Sequence, residues 1–181
     1  MRIIVPNTFD MMSPQTLFRL QKVRETFPND EIVAVMLDLA TYEETCGPVL
    51  NKKEEIKQSL EHCKYIDSIH SESPAFLSKT FVKSLGADFV INIEESPSFI
   101  DLLKGAYELK IVREMNSVCD LASRDDLLAR IIKDMDQYII RNLNRGYQRK
   151  ELNVSWAKAS ALKLKASISN ALFCGRRGKQ E

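Results

Sequence analysis

A chain of 181 residues carries 26 basic and 25 acidic side chains, for a formal net charge of +1. At 44% hydrophobic and 28% charged, it has the composition of one ordinary globular domain with a full core, which excludes a disordered or fibrous chain. No apolar run approaches the ~20 residues of a membrane span, so no transmembrane segment is expected.

The first strand is predicted at Arg2-Ile3-Ile4-Val5, with no leader before it. A helix from Pro14 to Thr26 follows, with Leu17, Leu20 and Val23 on one face. Ile32 to Met36 reads as a buried strand, and Leu37 to Pro48 as a loop. Asn51 with Glu54 three residues on is a capping box that opens the next helix. Tyr65 to Ile69 is a strand, Ala75 to Leu85 a helix closed by Gly86, and Asp88 to Ile91 a strand. Ser98 to Ala106 is a helix and Leu109 to Val112 the last strand. The longest helix runs from about Ser123 to Leu143, and Gly146 stops it. A final helix is predicted over about 156–173. Ser13-Pro14, Ser73-Pro74 and Ser96-Pro97 each read as a helix start, because Ser caps and proline lacks an N–H that would be unpaired there.

Alternating strands and helices predict right-handed crossovers and a parallel α/β sheet. Ligands in such sheets bind beyond the carboxyl ends of the strands, where the strand order reverses. Cys46, Cys63, Cys119 and Cys174 are too scattered for a zinc site and read as reduced thiols of a cytoplasmic compartment. Asp10, Asp38 and Asp88 read as caps or loop residues, and no metal or other cofactor is expected. The two histidines, His62 and His70, read as packing residues. From Gln148 onward the chain carries a net +6, which leaves −5 on residues 1–147. The expected organisation is therefore a 1–147 domain with a basic helical extension over 148–181. That extension suits an anionic partner or a solvated helix face.

Several stretches resemble the cytidylyltransferase family, along about residues 2–156. They are Phe9-Asp10, Phe27-Pro28-Asn29, Ile32 to Val35, His62 to Asp67, Ala87 to Val90, and above all Asp136 to Ser155. The likeness is strongest to the catalytic domain of choline-phosphate cytidylyltransferases. It implies a Rossmann-like nucleotidyltransferase fold with C-terminal helices. The implied activity is attack of a phosphocholine oxygen on the α-phosphorus of CTP, giving CDP-choline for phospholipid synthesis. Such a reaction needs positioning and positive charge around the phosphates rather than a general base.

The resemblance also implies which groups should supply that charge, and the sequence departs there. The family's His-x-Gly-His falls on Ser13-Pro14-Gln15-Thr16, and its loop glycine falls near Asn7. The loop that should bring a lysine reads Glu43 to Pro48, and the Gly-Ile-Ser-Thr-Ser signature falls on Asp120 to Arg124. The signature arginine falls on Ser117, and a His-Asp pair on Asn92-Ile93. What remains for a nucleotide is a degenerate set: Thr8, Phe9, Ser13, Thr16, Asn92, Arg113, Leu121 and Ser123. No catalytic residue is assigned, and weak or no CTP binding is expected, although a helix N-terminus still attracts anions. The family's subunit contact implies an interface at Lys64, Tyr65 and Asp67, in a homodimer or a heterodimer with an active relative. Three readings stay open. One is a pseudoenzyme acting as a binding, regulatory or structural subunit. Another is a divergent active enzyme using Lys52, Lys53, Arg113 or Arg124. The last is a component of a large assembly docked through the basic tail.

Overall fold

The computed structural model describes residues 1–94, 96–115, 119–162 and 164. The chain divides into two compact units, Met1–Arg124 and Asp125–Glu181.

The first unit is a five-stranded, all-parallel sheet. Its strands are β1 (Arg2–Asn7), β2 (Glu31–Met36), β3 (Ser68–His70), β4 (Phe89–Asn92) and β5 (Val112–Glu114). Their order is β3-β2-β1-β4-β5. The central strands β1 and β2 are unbroken apolar runs because both of their faces are covered, as parallel sheets require. Ile3 pairs with Ile32 and with Phe89, which sets β1 in the middle.

One face carries Ile3, Val5, Ile32, Ala34 and Met36, packed with Leu20, Val23 and Phe27 of α1 (Pro14–Thr26) and its end. Ile56 and Leu60 of α3 (Lys53–Glu61) complete that layer. The other face carries Ile4, Val33, Val35 and Val90 under Leu77 and Val82, with Val82 on α4 (Lys79–Ser84). Phe99 and Leu102 of α5 (Pro97–Leu102) and Ala106 of α6 (Lys104–Glu108) close it. Burying each of these large side chains contributes about 1.5–3 kcal/mol.

Several elements differ from the sequence expectation. The segment read as a loop holds α2 (Leu39–Cys46), which Asp38 caps by accepting from Thr41 N at 2.9 Å and Thr41 Oγ1 at 2.7 Å. Tyr42 and Cys46 of α2 pack on the second core layer, so tertiary burial stabilises a helix whose pattern is too short to read. Ser73-Pro74 opens no helix; α4 starts at Lys79, capped by Ser78. The capping box lies one residue later, with Lys52 N donating to Glu55 Oε2 at 2.8 Å. Ser98 to Ala106 is two short helices, α5 and α6, and β5 is Val112–Glu114 rather than 109–112.

Among the described residues the longest helix is α7 (Arg124–Asn144), which lies in the second unit from Asp125 on, and residues 156–162 are also helical. Most of the remainder of the predicted last helix, with Lys165, Arg176, Arg177 and Lys179 of the basic tail, lies outside the described residues. Among the described residues no helix is long and apolar enough to cross a membrane.

Candidate nucleotide crevice

From β1 the chain winds one way to β2 and β3, and from β4 the other way to β5, so the order reverses between β1 and β4. Thr8, Phe9, Ser13, Thr16 and Asn92 gather at the carboxyl ends of these two strands. The crevice there is built largely by side chains that bind one another.

Asn7 ends β1. Its Oδ1 accepts from Phe9 N at 3.0 Å, and its Nδ2 donates to Glu94 Oε1 at 2.9 Å, beyond β4. That turn holds Phe9 at φ 55° and Met11 at φ 50°, a left-handed backbone that costs a side-chain-bearing residue free energy. The Phe9 ring, 2% exposed, is driven into the core and offsets the strain.

Asp10 follows, with its side chain wholly buried. Its carboxylate accepts from Leu50 N and Asn51 N at 3.0 Å each, and from Arg124 Nε at 3.2 Å. Arg124 also donates to the Pro48 carbonyl. One buried carboxylate thus ties the β1 loop, the segment before α3 and Arg124, the last residue of the first unit, with the charge neutralised as burial demands.

The N-terminus of α1 is where an anion would sit, drawn by unpaired N–H groups and the helix dipole. Pro14 has no N–H. Gln15 N donates to Ala122 O at 3.2 Å, Thr16 N to Ser13 Oγ at 3.2 Å, and Leu17 N to Ser13 O at 2.9 Å. Ser13 Oγ and Thr16 Oγ1 are also 3.0 Å apart. Each first-turn donor is already paired with the protein.

Asn92 is fully buried at the end of β4. It accepts from Glu94 N at 2.9 Å and donates to Tyr107 Oη at 3.2 Å and Glu114 Oε2 at 2.9 Å. The Tyr107 hydroxyl donates to Glu114 Oε1. Burial, together with the Glu114 carboxylate, pushes the Tyr107 phenol up to about 12. The carboxylates beside this crevice are taken up by protein groups: Asp10 by Arg124, Glu94 by Asn7, and Glu114 by Asn92 and Tyr107.

The remaining candidates are dispersed. The Arg113 guanidinium lies 3.8 Å over the ring of Phe89, the first residue of β4. Leu121 is 44% exposed, and Ser123 directly precedes α7. Lys53 Nζ is 2.7 Å from Glu72. Asn116 to Val118, including the signature position Ser117, lie outside the described residues. Arg19, which the sequence reading passed over, is 4% exposed on α1 and donates to the Ile93 carbonyl beside the crevice. An arginine on the otherwise apolar Leu20 side of α1 was the available signal.

Away from the crevice, His62 Nδ1 lies 2.8 Å from Gln58 O at the end of α3, and the His70 ring tilts against Phe81. Cys46, Cys63 and Cys119 are free thiols. Among the described residues no three His, Cys, Asp or Glu side chains come together as metal ligands. Lys64, Tyr65 and Asp67 sit in the turn before β3. The Lys64 ammonium lies over the Tyr65 ring, and Asp67 Oδ2 accepts from Ile32 N at 2.7 Å and from Arg24 Nη2 at 2.5 Å.

No family model matches the chain. Individual relatives do. A probable choline-phosphate cytidylyltransferase of Schizosaccharomyces pombe is 33% identical over 171 residues, covering 92% of this chain and 47% of that protein. The choline-phosphate cytidylyltransferase of Saccharomyces cerevisiae is 29% identical, covering 93% and 40%. Human choline-phosphate cytidylyltransferase A is 30% identical, covering 86% and 43%. The chain spans about half the length, or less, of these relatives. In fold it is similar to a lipopolysaccharide core biosynthesis protein from Thermoplasma volcanium, with a TM-score of 0.53 at 13% identity, covering 66% of this chain and 98% of that one. The parallel sheet, its reversal point and these relatives together make the chain a homologue of the choline-phosphate cytidylyltransferases, related to the cytidylyltransferase family along nearly its whole length.

Proposed function

We propose that the protein is a cytidylyltransferase-fold subunit that does not transfer cytidylyl groups and acts by binding. The observation that carries this reading is the α1 N-terminus, whose Gln15, Thr16 and Leu17 N–H groups are all engaged by Ala122 and Ser13. Phosphate transfer relies on preorganised donors worth on the order of 2–4 kcal/mol each in the transition state. Here those donors face protein acceptors. Histidines are absent from positions 13–16, and Arg124 is held by Asp10. Several such losses act together on a rate that depends on positioning.

The binding role extends to association through the Lys64-Tyr65 turn, in a homodimer or with an active relative, and to an anionic partner for the basic 148–181 extension. A cytoplasmic setting suits the free thiols.

Incubating the purified chain with CTP, phosphocholine and Mg²⁺ tests the reading. The expected result is no CDP-choline above the protein-free control. Turnover that disappears in Arg113→Ala or Lys53→Ala establishes a divergent active enzyme instead.

A further inference from the structure

Within the second unit, the turn after α7 and the helix that follows it enclose a pocket of about 440 Å³. Tyr147, Arg149 and Lys150 line it from the turn, and Trp156 and Ser160 from the helix. Trp156 is 69% exposed and Tyr147 54%, although folding ordinarily buries much of such rings. Glu151 is the only acidic residue between Gly146 and Trp156, and its carboxylate accepts from Gln148 N at 2.7 Å. Arg149 and Lys150 are both exposed, and among the described residues neither is ion-paired. We propose that this pocket binds single-stranded nucleic acid, with a base stacked on Trp156 and the adjoining phosphates on Arg149 and Lys150, an assignment that rests on the reading of an anionic partner for the 148–181 extension.

Charge alone would suit any polyanion, and the rings narrow the choice. A single strand offers open base faces between regularly spaced phosphates, which aromatic side chains and cations hold together without reading sequence. A duplex keeps those faces stacked inside, and an acidic peptide brings carboxylates without a flat ring at each step. A membrane surface calls for a continuous apolar helix face. Here the apolar positions Ala159 and Leu162 are buried, at 3% and 6% exposure. The exposed positions Trp156, Ser160 and Leu164 recur every four residues, and the serine interrupts any lipid-facing stripe. From Gln148 onward the sequence holds eight basic residues against two acidic, so a strand longer than one nucleotide gains further phosphate contacts.

Trp156 is the only tryptophan of the chain, so its fluorescence reports on this pocket alone. Titrating the full chain with oligouridylate or oligothymidylate of about 10 nucleotides is expected to quench that emission saturably. The tighter of the two arms tells RNA from DNA. With labelled oligonucleotide followed by anisotropy, Trp156→Ala is expected to weaken binding about tenfold, and Trp156→Phe, which keeps a ring, much less. Removing both cations, as Arg149→Ala with Lys150→Ala, is expected to weaken binding and to lower the salt slope by about 1.4. All three side chains are exposed, so the variants are expected to fold, which an unchanged circular dichroism spectrum checks. No quenching by either oligonucleotide, or an affinity unchanged in Trp156→Ala, overturns the proposal. Equal affinity for inorganic polyphosphate or for a duplex also overturns it, because charge alone would then be the attraction. Phosphatidylserine vesicles that shift the Trp156 emission, where the oligonucleotides do not, assign the pocket to a membrane surface instead. Those last results leave an anionic partner for the extension standing, whereas failure of every polyanion removes that reading too.

Discussion

Arg124 Nε lies 3.2 Å from Asp10 Oδ2, joining positions 114 residues apart around a carboxylate with no solvent exposure. Because Leu50 N and Asn51 N share the same carboxylate, Asp10→Ala leaves two N–H groups without their acceptor and removes the buried counter-charge of Arg124 at once. The expected loss of stability is about 3–5 kcal/mol, read as the shift in the urea midpoint. Glu72→Ala, which removes the exposed partner of Lys53, is expected to leave that midpoint unchanged. An Asp10→Ala variant as stable as wild type would show that the buried pair does not hold the loop.

Tyr107 gives the network around Asn92 a spectroscopic signature. Its phenol titrates at about 12 rather than 10, burial being the larger cause and the Glu114 carboxylate the next. A group raised in this way contributes stability that is complete below pH 10 and is lost as pH rises through 12. Ultraviolet titration of the native chain is expected to show one of its five tyrosines ionising near pH 12, a step missing from Tyr107→Phe. If Tyr107→Phe removes a step at the ordinary value instead, the hydroxyl is neither buried nor held by Glu114 as described.

Gly105 offers a test of packing in the second core layer. A Cβ there would lie 2.2 Å from Leu77 O and 2.6 Å from Lys79 N. This backbone is pinned, since Leu77 N donates to Leu102 O at 2.8 Å. Gly105→Ala gains up to about 1 kcal/mol in helix propensity, yet overpacking typically costs about 1–3 kcal/mol. A lower thermal midpoint is therefore expected, and a higher one would mean that α6 can draw away from the Leu77 segment.

Where local chemistry decides an element, the sequence reading and the structure agree. Ser13-Pro14 starts α1 because the serine hydroxyl reaches Thr16 N, and the helix ends at Thr26 as its apolar period predicts. The apolar runs of β1 and β2 mark strands buried on both faces. The same Ser-Pro signal misleads at Ser73-Pro74, where Leu77 enters the core and pairs with Leu102, deferring the helix to Ser78. Asp38 with Thr41 was a readable cap for α2 inside the 37–48 stretch expected as a loop. The crevice was legible only as a list of residues. Its defining contacts, Asp10 with Arg124 and Gln15 N with Ala122 O, join segments more than a hundred residues apart. No local pattern encodes such pairs.

Calorimetric titration of the full chain with CTP, with and without Mg²⁺, bears most directly on the central claim that the crevice is closed by its own groups. With Gln15 N, Thr16 N and Asn92 engaged by protein partners, no saturable heat is expected in either condition. Saturable CTP binding at micromolar concentration, strengthened by Mg²⁺ and lost in Thr16→Pro, would contradict the claim, because the α1 N-terminus would then be holding the phosphates it is described as excluding.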